Sequence, residues 1–167
     1  IIELENMIDT YLDFARNDRE EQMVDASLFK LLQQAAKSSD PDGKQIHISI
    51  PPENLPVFPI QVQSIRRALI NLFTNAMRYA GKASAQIQIF DDHSEIIIDD
   101  NGPGIPRDKR GEVVLPFTRL DNSRNNKTGG TGLGLSIAKN AVLNHGGELI
   151  LEDSPLGGLR IRLLLPL

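Results

Sequence analysis

The sequence contains no cysteine and no tryptophan, and only two tyrosines and six phenylalanines among its 167 residues. Without cysteine, neither a disulfide framework nor a thiolate metal site can form. With so few aromatic side chains, the hydrophobic core must be largely aliphatic. No apolar run approaches the length of a membrane-spanning helix, and no signal peptide is visible. A net charge of −4 gives no general reason to bind nucleic acid or a membrane surface.

Residue patterns along the chain predict an α+β protein. Residues 1–15 have the apolar spacing of an amphipathic helix whose start is missing, so we expect the chain to be a piece of a longer protein. Further helices are predicted at 26–37, 61–79 and 133–144, and strands near 45–50, 84–90, 95–99, 148–152 and 158–165, with a short edge strand in the proline-rich stretch 51–59. This order predicts a two-layer α/β sandwich, in which three helices cover one face of a mixed, mostly antiparallel sheet.

The stretch from Thr128 to Ala138 combines a glycine cluster with the start of a helix. Four of its glycines fall within six residues, at 129, 130, 132 and 134. Glycine lets a backbone approach a ligand closely, and the unpaired N–H groups of the following helix attract anions, so the stretch predicts a phosphate site. It is not a Walker loop, because Leu135 follows the last glycine, and it lacks the dinucleotide fingerprint. A glycine-rich surface turn that caps a helix is the alternative.

Three polar side chains lie close together on the predicted helix 61–79. Asn71 and Asn75 are four residues apart and therefore stacked, and Arg78 lies one turn beyond Asn75. An amide oxygen suits Mg²⁺, which takes its other ligands from water and phosphate, and an arginine can neutralise a phosphate. The alternative is a solvated face with two exposed amides, although asparagine is a weak helix former.

An acidic, glycine-rich motif at 99–105 comes directly after an aliphatic strand. A carboxylate at a strand end can accept a hydrogen bond from an exocyclic amine, and glycines let a flat base lie against the backbone. By itself, the motif is explained equally well as an acidic turn.

Residues 105–131 show little periodicity, and so long a loop within a domain is usually a lid or a binding loop. Within it, Phe117 can anchor the lid while Arg119 reaches a phosphate, although an ordinary loop with a buried Phe is favoured on this motif alone. We expect the lid to be mobile without nucleotide, with Gly129 and Gly130 as a hinge, because its basic residues then have little to hold them. These residues are Arg107, Lys109, Arg110, Arg119, Arg124 and Lys127.

Together, the four motifs resemble those of sensor histidine kinases, and within that family the osmosensor type. The matching segments are 71–79 for the N box, 100–104 for the first glycine box, 116–119 for the F box, 130–135 for the second glycine box and 157–159 for a small-residue turn near the end of the domain. Order and spacing agree over residues 24–167. Val114 departs from the family, whose members often have a second Phe there.

The resemblance implies the Bergerat ATP-binding fold, with ATP and Mg²⁺ as ligands. It implies that Asp100 binds the adenine amino group, that Tyr79 lies beside the base, and that Arg78 and Arg119 lie near the phosphates. Asn75 and Asn71 are the implied metal ligands, and together with Arg119 they are the implied catalytic residues. The full implied nucleotide site consists of Asn75, Arg78, Tyr79, Asp100, Gly102, Gly104, Ile105, Phe117, Arg119, Gly130, Thr131, Gly132, Leu133, Gly134 and Leu135.

The resemblance also divides the chain and implies its partners. Residues 1–18 resemble the end of the second helix of the dimerisation and phosphoacceptor hairpin, 19–23 a linker, and 24–167 the catalytic domain. The implied partners are that hairpin and a response regulator, with no nucleic acid. We expect the parent to be a homodimeric kinase of the bacterial inner membrane with this domain in the cytoplasm, and this piece to be a monomer or to associate weakly.

No histidine of this chain lies in the family's phosphoacceptor motif. We therefore expect His47, His93 and His145 to be structural or exposed, and the γ-phosphoryl group of ATP to pass to a histidine on another polypeptide.

Two other functions stay open at this stage. One is an ATPase of the same fold, or a serine kinase that acts on a partner protein. Such relatives have Glu at position 71 to activate water or a hydroxyl, whereas Asn71 cannot titrate. The other is a nucleotide-binding module without catalysis, which would use all the same contacts.

Overall fold

Three helices and seven strands make up most of the chain that the computed structural model describes, namely residues 8, 12, 21–49, 55–120 and 131–167. The helices are α1 (Leu28–Ser39), α2 (Val62–Tyr79) and α3 (Gly134–Asn144). The strands are β1 (Val24–Ala26), β2 (Ile46–Ile48), β3 (Phe58–Ile60), β4 (Ala83–Ile89), β5 (His93–Asp100), β6 (Glu148–Asp153) and β7 (Leu159–Pro166). A 3₁₀ turn, Arg107–Lys109, leads into one helical turn, Arg110–Val113.

The main sheet has five strands in the order β2-β4-β5-β7-β6. β4 and β5 form a hairpin, and β7 pairs antiparallel with both β5 and β6, whereas β2 runs parallel to β4. Alternate residues of β4 and β7 are buried, as expected for strands of which one face is covered. The prediction of a mixed, mostly antiparallel sheet is confirmed.

All three helices pack on the same face of this sheet. Their buried residues join those of the strands in one hydrophobic cluster, in which Phe73 of α2 is the largest fully buried side chain. β5 contributes Ile96 and Ile98 to this cluster, and β7 contributes Ile161 and Leu163. The core is aliphatic apart from Phe58 and Phe73 within the described residues, and the predicted two-layer sandwich is confirmed.

A short ribbon beside the main sheet was only partly predicted. β1 pairs antiparallel with β3, with Val24 opposite Ile60, so β1 lies next to the start of α2. The expected edge strand corresponds to β3, but β1 has only three residues and shows no alternation. α1 begins two residues later than predicted, because Ser27 caps it by accepting a hydrogen bond from the Lys30 N–H.

Of the helix predicted for residues 1–15, the structure describes only Ile8 and Leu12, both helical; the rest lies outside the described residues. Within the described ranges, no helix is long and apolar enough to cross a membrane.

Asp40 joins the end of α1 to the start of β2. Its Oδ2 accepts hydrogen bonds from the backbone N–H groups of Gln45, at 2.7 Å, and Ile46, at 2.8 Å. These two bonds hold the pKa of the Asp40 carboxyl below its usual value, outweighing the opposite effect of its burial.

Replacing Asp40 with alanine should therefore lower the free energy of unfolding at pH 7. Because the pKa is lower in the folded state, the stabilisation is fully present above the unfolded value, about 3.9, and is lost as the pH falls through the folded value. We expect urea unfolding to show a gap between wild type and Asp40→Ala at pH 7 that narrows below pH ~4. Asp42→Ala is the control, since the exposed Asp42 carboxylate pairs with the exposed Lys44, at 3.5 Å. A gap of the same size at both pH values would contradict the role assigned to Asp40.

Candidate nucleotide-binding site

The carboxylate of Asp100 is fixed at the end of β5 by backbone donors from two segments. Its Oδ1 accepts hydrogen bonds from the N–H of Gly102, at 2.9 Å, and of Leu159, at 3.0 Å. The Asp100 carbonyl accepts a third bond, from the N–H of Gly158, at 3.1 Å. Oδ2 makes no hydrogen bond to the described residues. One carboxylate oxygen is thus fully used in holding the side chain in place, and the other remains able to accept a hydrogen bond.

Asp99, the neighbouring aspartate, has a different role. It lies on the opposite face of β5, is 5% exposed, and forms a bidentate ion pair with Arg160, with both distances 2.9 Å. On the same face, Arg162 pairs with Glu95 and lowers the pKa of that carboxyl. The structure thus separates two aspartates that the sequence presents as one acidic pair. Asp99 is neutralised within the sheet, whereas the charge of Asp100 belongs to the candidate site.

Glycines allow three backbone segments to meet around Asp100. A Cβ on Gly158 would overlap Asp100 Oδ1 and would lie 2.5 Å from the Gly102 nitrogen. A Cβ on Gly102 would lie 3.0 Å from the carbonyl oxygen of Tyr79, which ends α2. Gly104 has φ +69° and lies against the carbonyl of Gly158. The predicted small-residue turn at 157–159 is therefore part of the wall of this site.

Asn101 holds the end of α2 beside β5, a role that no sequence pattern predicted. Its Oδ1 accepts hydrogen bonds from the N–H groups of Gly81, at 3.0 Å, and Lys82, at 2.8 Å, and its own N–H donates to the Lys82 carbonyl. Its position directly after Asp100, at the end of a strand, was the available signal.

Asn75 lies against the start of α3. A Cβ on Gly134 would be 2.8 Å from Asn75 Nδ2, so the structure brings the N box and the second glycine box together. Asn71, one turn earlier, donates its Nδ2 to the carbonyl of Arg67 at 2.9 Å, and this leaves its amide oxygen able to accept. Arg78 and Tyr79 are exposed at the end of the same helix.

No side chain caps the N-terminus of α3 at its N-cap residue, Leu133. Leu133 is fully buried and anchors the turn, while Thr131 Oγ1 accepts a hydrogen bond from the Leu133 N–H at 3.4 Å. In the described residues, the N–H groups of Gly134 and Leu135 have no side-chain acceptor, and unpaired N–H groups at a helix start favour an anion. Gly130, which the resemblance adds to this site, lies outside the described residues.

The F box contacts the second glycine box through its backbone. A Cβ on Gly132, where φ is +70°, would lie 2.9 Å from both the Phe117 carbonyl carbon and the Thr118 carbonyl oxygen. Phe117 itself has φ 63° and is 54% exposed. The interpretation of this segment as an ordinary loop with a buried Phe was therefore wrong. Arg119 is also exposed, on the same segment.

The first part of the lid is attached to the sheet. Asp153 at the end of β6 forms ion pairs with Arg110 and, at 3.3 Å, with Arg107, and both lower the pKa of its carboxyl. Arg110 also donates to the Ile105 carbonyl at 3.0 Å, and Lys109 pairs with Glu112 at 3.4 Å. The expectation that the lid's basic residues have little besides phosphate to hold them was thus wrong for Arg107, Lys109 and Arg110. Arg124 and Lys127 lie outside the described residues.

The three histidines are exposed or structural, as expected. His47 is exposed on β2. His93 lies between Asp92 and Glu95, which raise its pKa, and its ring stacks on Phe90. His145 Nε2 accepts a hydrogen bond from the Gln61 N–H at 3.0 Å, and its Nδ1 lies 2.6 Å from the Ala141 carbonyl.

Comparison with known proteins identifies the class to which this arrangement belongs. Residues 60–167 match the family described as "Histidine kinase-, DNA gyrase B-, and HSP90-like ATPase". The sensor histidine kinase CpxA of Escherichia coli (strain K12) is 34% identical over 171 residues, which cover 98% of this chain and 37% of CpxA. The chain thus spans just over a third of the length of that relative.

Two solved structures share the fold. The histidine kinase domain of the E. coli osmosensor EnvZ matches with a TM-score of 0.67 and 32% identity, over 89% of this chain and 91% of that one. The ATP-binding domain of PrrB from Mycobacterium tuberculosis matches with a TM-score of 0.70 and 28% identity, over 87% and 97%. The chain therefore belongs to the histidine kinase-, DNA gyrase B- and HSP90-like ATPase family, and within it to the ATP-binding catalytic domains of sensor histidine kinases.

Proposed function

We propose that this domain binds ATP with Mg²⁺ and transfers the γ-phosphoryl group to a histidine on the hairpin of its parent kinase, from which a response regulator receives it. The main support is convergence at the C-terminal half of α2. Asn75 meets Gly134 there, and one turn further on Tyr79 meets the segment that holds Asp100. Neither an isolated acidic turn nor a solvated helix face accounts for that convergence.

The two ends of the site suit the two ends of ATP. At one end, the free Oδ2 of Asp100 accepts from the adenine amino group, while Gly102, Gly104 and Ile105 lie along the base with Tyr79 at its edge. At the other end, the phosphates occupy the start of α3, with Arg78 and Arg119 supplying positive charge. The contacts from that segment come from Thr131, Gly132, Leu133, Gly134 and Leu135, and from Phe117 in the lid.

Asn75 is the residue that would hold Mg²⁺, with Asn71 second. The fit is supported by the donor chemistry, since both offer neutral amide oxygens. No group of three or more His, Asp or Glu that could bind a metal occurs among the described residues, so an ion here would take most of its ligands from phosphate and water. Mg²⁺ prefers that environment. When bound, it supplies positive charge at the β- and γ-phosphates.

For this reaction, the domain must position the reacting groups and stabilise the charge of the phosphates. The bond between the γ-phosphorus and the bridging oxygen breaks, ADP leaves, and a bond forms to the unprotonated nitrogen of a neutral imidazole on the acceptor, whose other ring nitrogen releases its proton afterwards. No general base is needed, because that nitrogen already has a lone pair. Asn71 also argues against the ATPase and serine kinase alternatives, since an amide cannot remove a proton from water or a hydroxyl.

The remaining assignments follow from the same proposal. Residues 1–18 are the end of the hairpin's second helix, 19–23 a linker and 24–167 the catalytic domain. The parent is a homodimeric inner-membrane kinase whose catalytic domain faces the cytoplasm, and this piece by itself is a monomer or associates weakly.

A transfer assay with a separate hairpin tests this function. With labelled ATP, the chain alone should place essentially no label on histidine, whereas a hairpin supplied in trans should acquire acid-labile, alkali-stable label. Transfer will be slow, because the tether that raises the effective concentration is missing.

Asn75→Ala should reduce the rate of transfer to the hairpin by about tenfold or more. Asn140→Ala, on the exposed part of α3, is the control. If free phosphate accumulates while the hairpin stays unlabelled, the histidine kinase function is wrong and the ATPase function replaces it.

A further inference from the structure

The N-terminus of α2 is capped by a residue of the linker, about forty positions earlier in the chain. The N-cap residue of α2, Gln61, makes no side-chain capping bond. Instead, the Glu21 carboxylate accepts the backbone N–H of Gln63 through Oε1, at 2.7 Å, and that of Ser64 through Oε2, at 3.0 Å. These N–H groups belong to the first turn and have no partner within the helix. A carboxylate at this position also interacts favourably with the helix dipole.

The main chain of Glu21 is held at the same point. Its carbonyl accepts a hydrogen bond from Gln61 Nε2 at 2.8 Å, and Gln61 is 4% exposed. Three residues further along, the linker enters the β1–β3 ribbon at the pair Val24 and Ile60. The linker is therefore attached by the side chain of Glu21, by the main chain of Glu21 and by the short strand that follows.

The contact extends to the end of α3. The Gln61 N–H donates to His145 Nε2, and His145 Nδ1 lies 2.6 Å from the Ala141 carbonyl in the last turn of α3. Glu21, the start of α2 and the end of α3 thus meet at one corner, which we call the linker corner. Asn75 and Gly134 lie towards the opposite ends of the same two helices.

We propose that Glu21 is a positioning residue for phosphoryl transfer within the parent kinase, an inference that rests on the proposed function. Its carboxylate fixes the linker to the linker corner and so sets the direction in which the preceding hairpin leaves the catalytic domain. Transfer needs the acceptor nitrogen in line with the γ-phosphorus, and small errors in orientation are costly in rate. ATP binding depends on the opposite ends of α2 and α3, so losing Glu21 affects turnover and leaves nucleotide affinity unchanged.

The test uses the parent kinase, hairpin included, in three variants. Glu21→Ala removes both accepting oxygens, Glu21→Gln keeps one, and Gln22→Ala is the matched control, since Gln22 is exposed and makes no hydrogen bond to the described residues. Autophosphorylation kinetics should show kcat falling about tenfold in Glu21→Ala and by an intermediate factor in Glu21→Gln, with KM for ATP unchanged. Hydrogen exchange at the Gln63 and Ser64 amides should accelerate in the same order.

Each outcome separates the proposals. A kcat that is unchanged in Glu21→Ala, with a fully active wild type, overturns the positioning role and leaves the kinase function intact. Equal loss of kcat and of ATP affinity, reversed by lowering the temperature, assigns Glu21 to helix stability alone and also overturns it. A wild type that binds ATP but never labels its hairpin overturns the proposed function, while the exchange measurement still reports whether Glu21 caps α2.

Discussion

Replacing Gly158 with alanine should abolish measurable binding of ATP analogues, with an affinity loss of at least about 100-fold, equivalent to about 2.7 kcal/mol. The new Cβ would overlap Asp100 Oδ1 and would stand 2.5 Å from the Gly102 nitrogen and 2.6 Å from the Asp100 carbonyl oxygen. Two of these atoms belong to the backbone, and the third belongs to the short Asp100 side chain that backbone N–H groups hold in place. None of them can move aside without opening the turn. The substitution therefore displaces the carboxylate from the position at which we propose it meets the base.

Overpacking at this point should also lower stability, by about 1–3 kcal/mol. Gly111→Ala is the matched control, because a Cβ there meets no atom within 4 Å and the residue lies in the helical turn Arg110–Val113. That substitution should leave ATP affinity unchanged and raise stability by about 0.4–1 kcal/mol. Calorimetric titration of both variants measures their affinity for ATP analogues, and thermal unfolding measures their stability. Wild-type affinity in Gly158→Ala would remove the Asp100 turn from the nucleotide site.

Replacing Asp100 with asparagine should weaken ATP binding by about 100-fold or more while the protein stays folded. The asparagine Oδ1 can keep accepting from the Gly102 and Leu159 N–H groups, so the turn survives. Its NH₂ then stands where Oδ2 was, and a donor faces the adenine amino group. The loss combines a charge-assisted hydrogen bond, worth about 1.5–3 kcal/mol, with an unsatisfied donor that costs about 1–3 kcal/mol.

The selectivity of the same variant sharpens this test. Wild type should prefer ATP to GTP, because the guanine carbonyl would face a carboxylate oxygen, whereas Asp100→Asn should lose that preference and can gain affinity for GTP. Asp108→Asn, exposed on the lid's 3₁₀ turn, is the control. Competition by ATP and by GTP against a fluorescent ATP analogue measures the affinity of each variant for both nucleotides. Equal displacement by the two nucleotides in wild type would refute the role given to Asp100.

The sequence was sufficient to predict the elements with long, regular patterns. α2, α3, β4 and β7 lie within one or two residues of their predicted ends, because each alternates or repeats over at least seven residues against a single core. β1 was missed because three residues carry no period. The boxes were found as motifs, but their contact with each other depends on the pairing of Asn75 with Gly134, which no local pattern reveals.

Contacts between distant residues explain what sequence reasoning missed at the site. Glu21 caps a helix that begins at Val62, far along the chain, and Asp153 holds Arg110 from the far end of β6. In each case a charged residue reads as ordinary solvated surface until its partner is known. Three of the lid's basic residues were misjudged for the same reason, since the sequence does not show the carboxylates that meet Arg107, Lys109 and Arg110.

Asp99 and Asp100 lie on opposite faces of β5, and this limits where the domain can tolerate an insertion or a deletion. Side chains alternate along a strand, so inserting or deleting one residue within β5 would exchange the two faces. The carboxylate that now neutralises Arg160 would then be turned toward the helices, and the one held by Gly102 and Leu159 would be lost from its turn. Two unrelated interactions would fail in a single event, whereas the exposed turn at 91–92 can change its length without disturbing either. Length variation arising in this region would thus be confined to the turn.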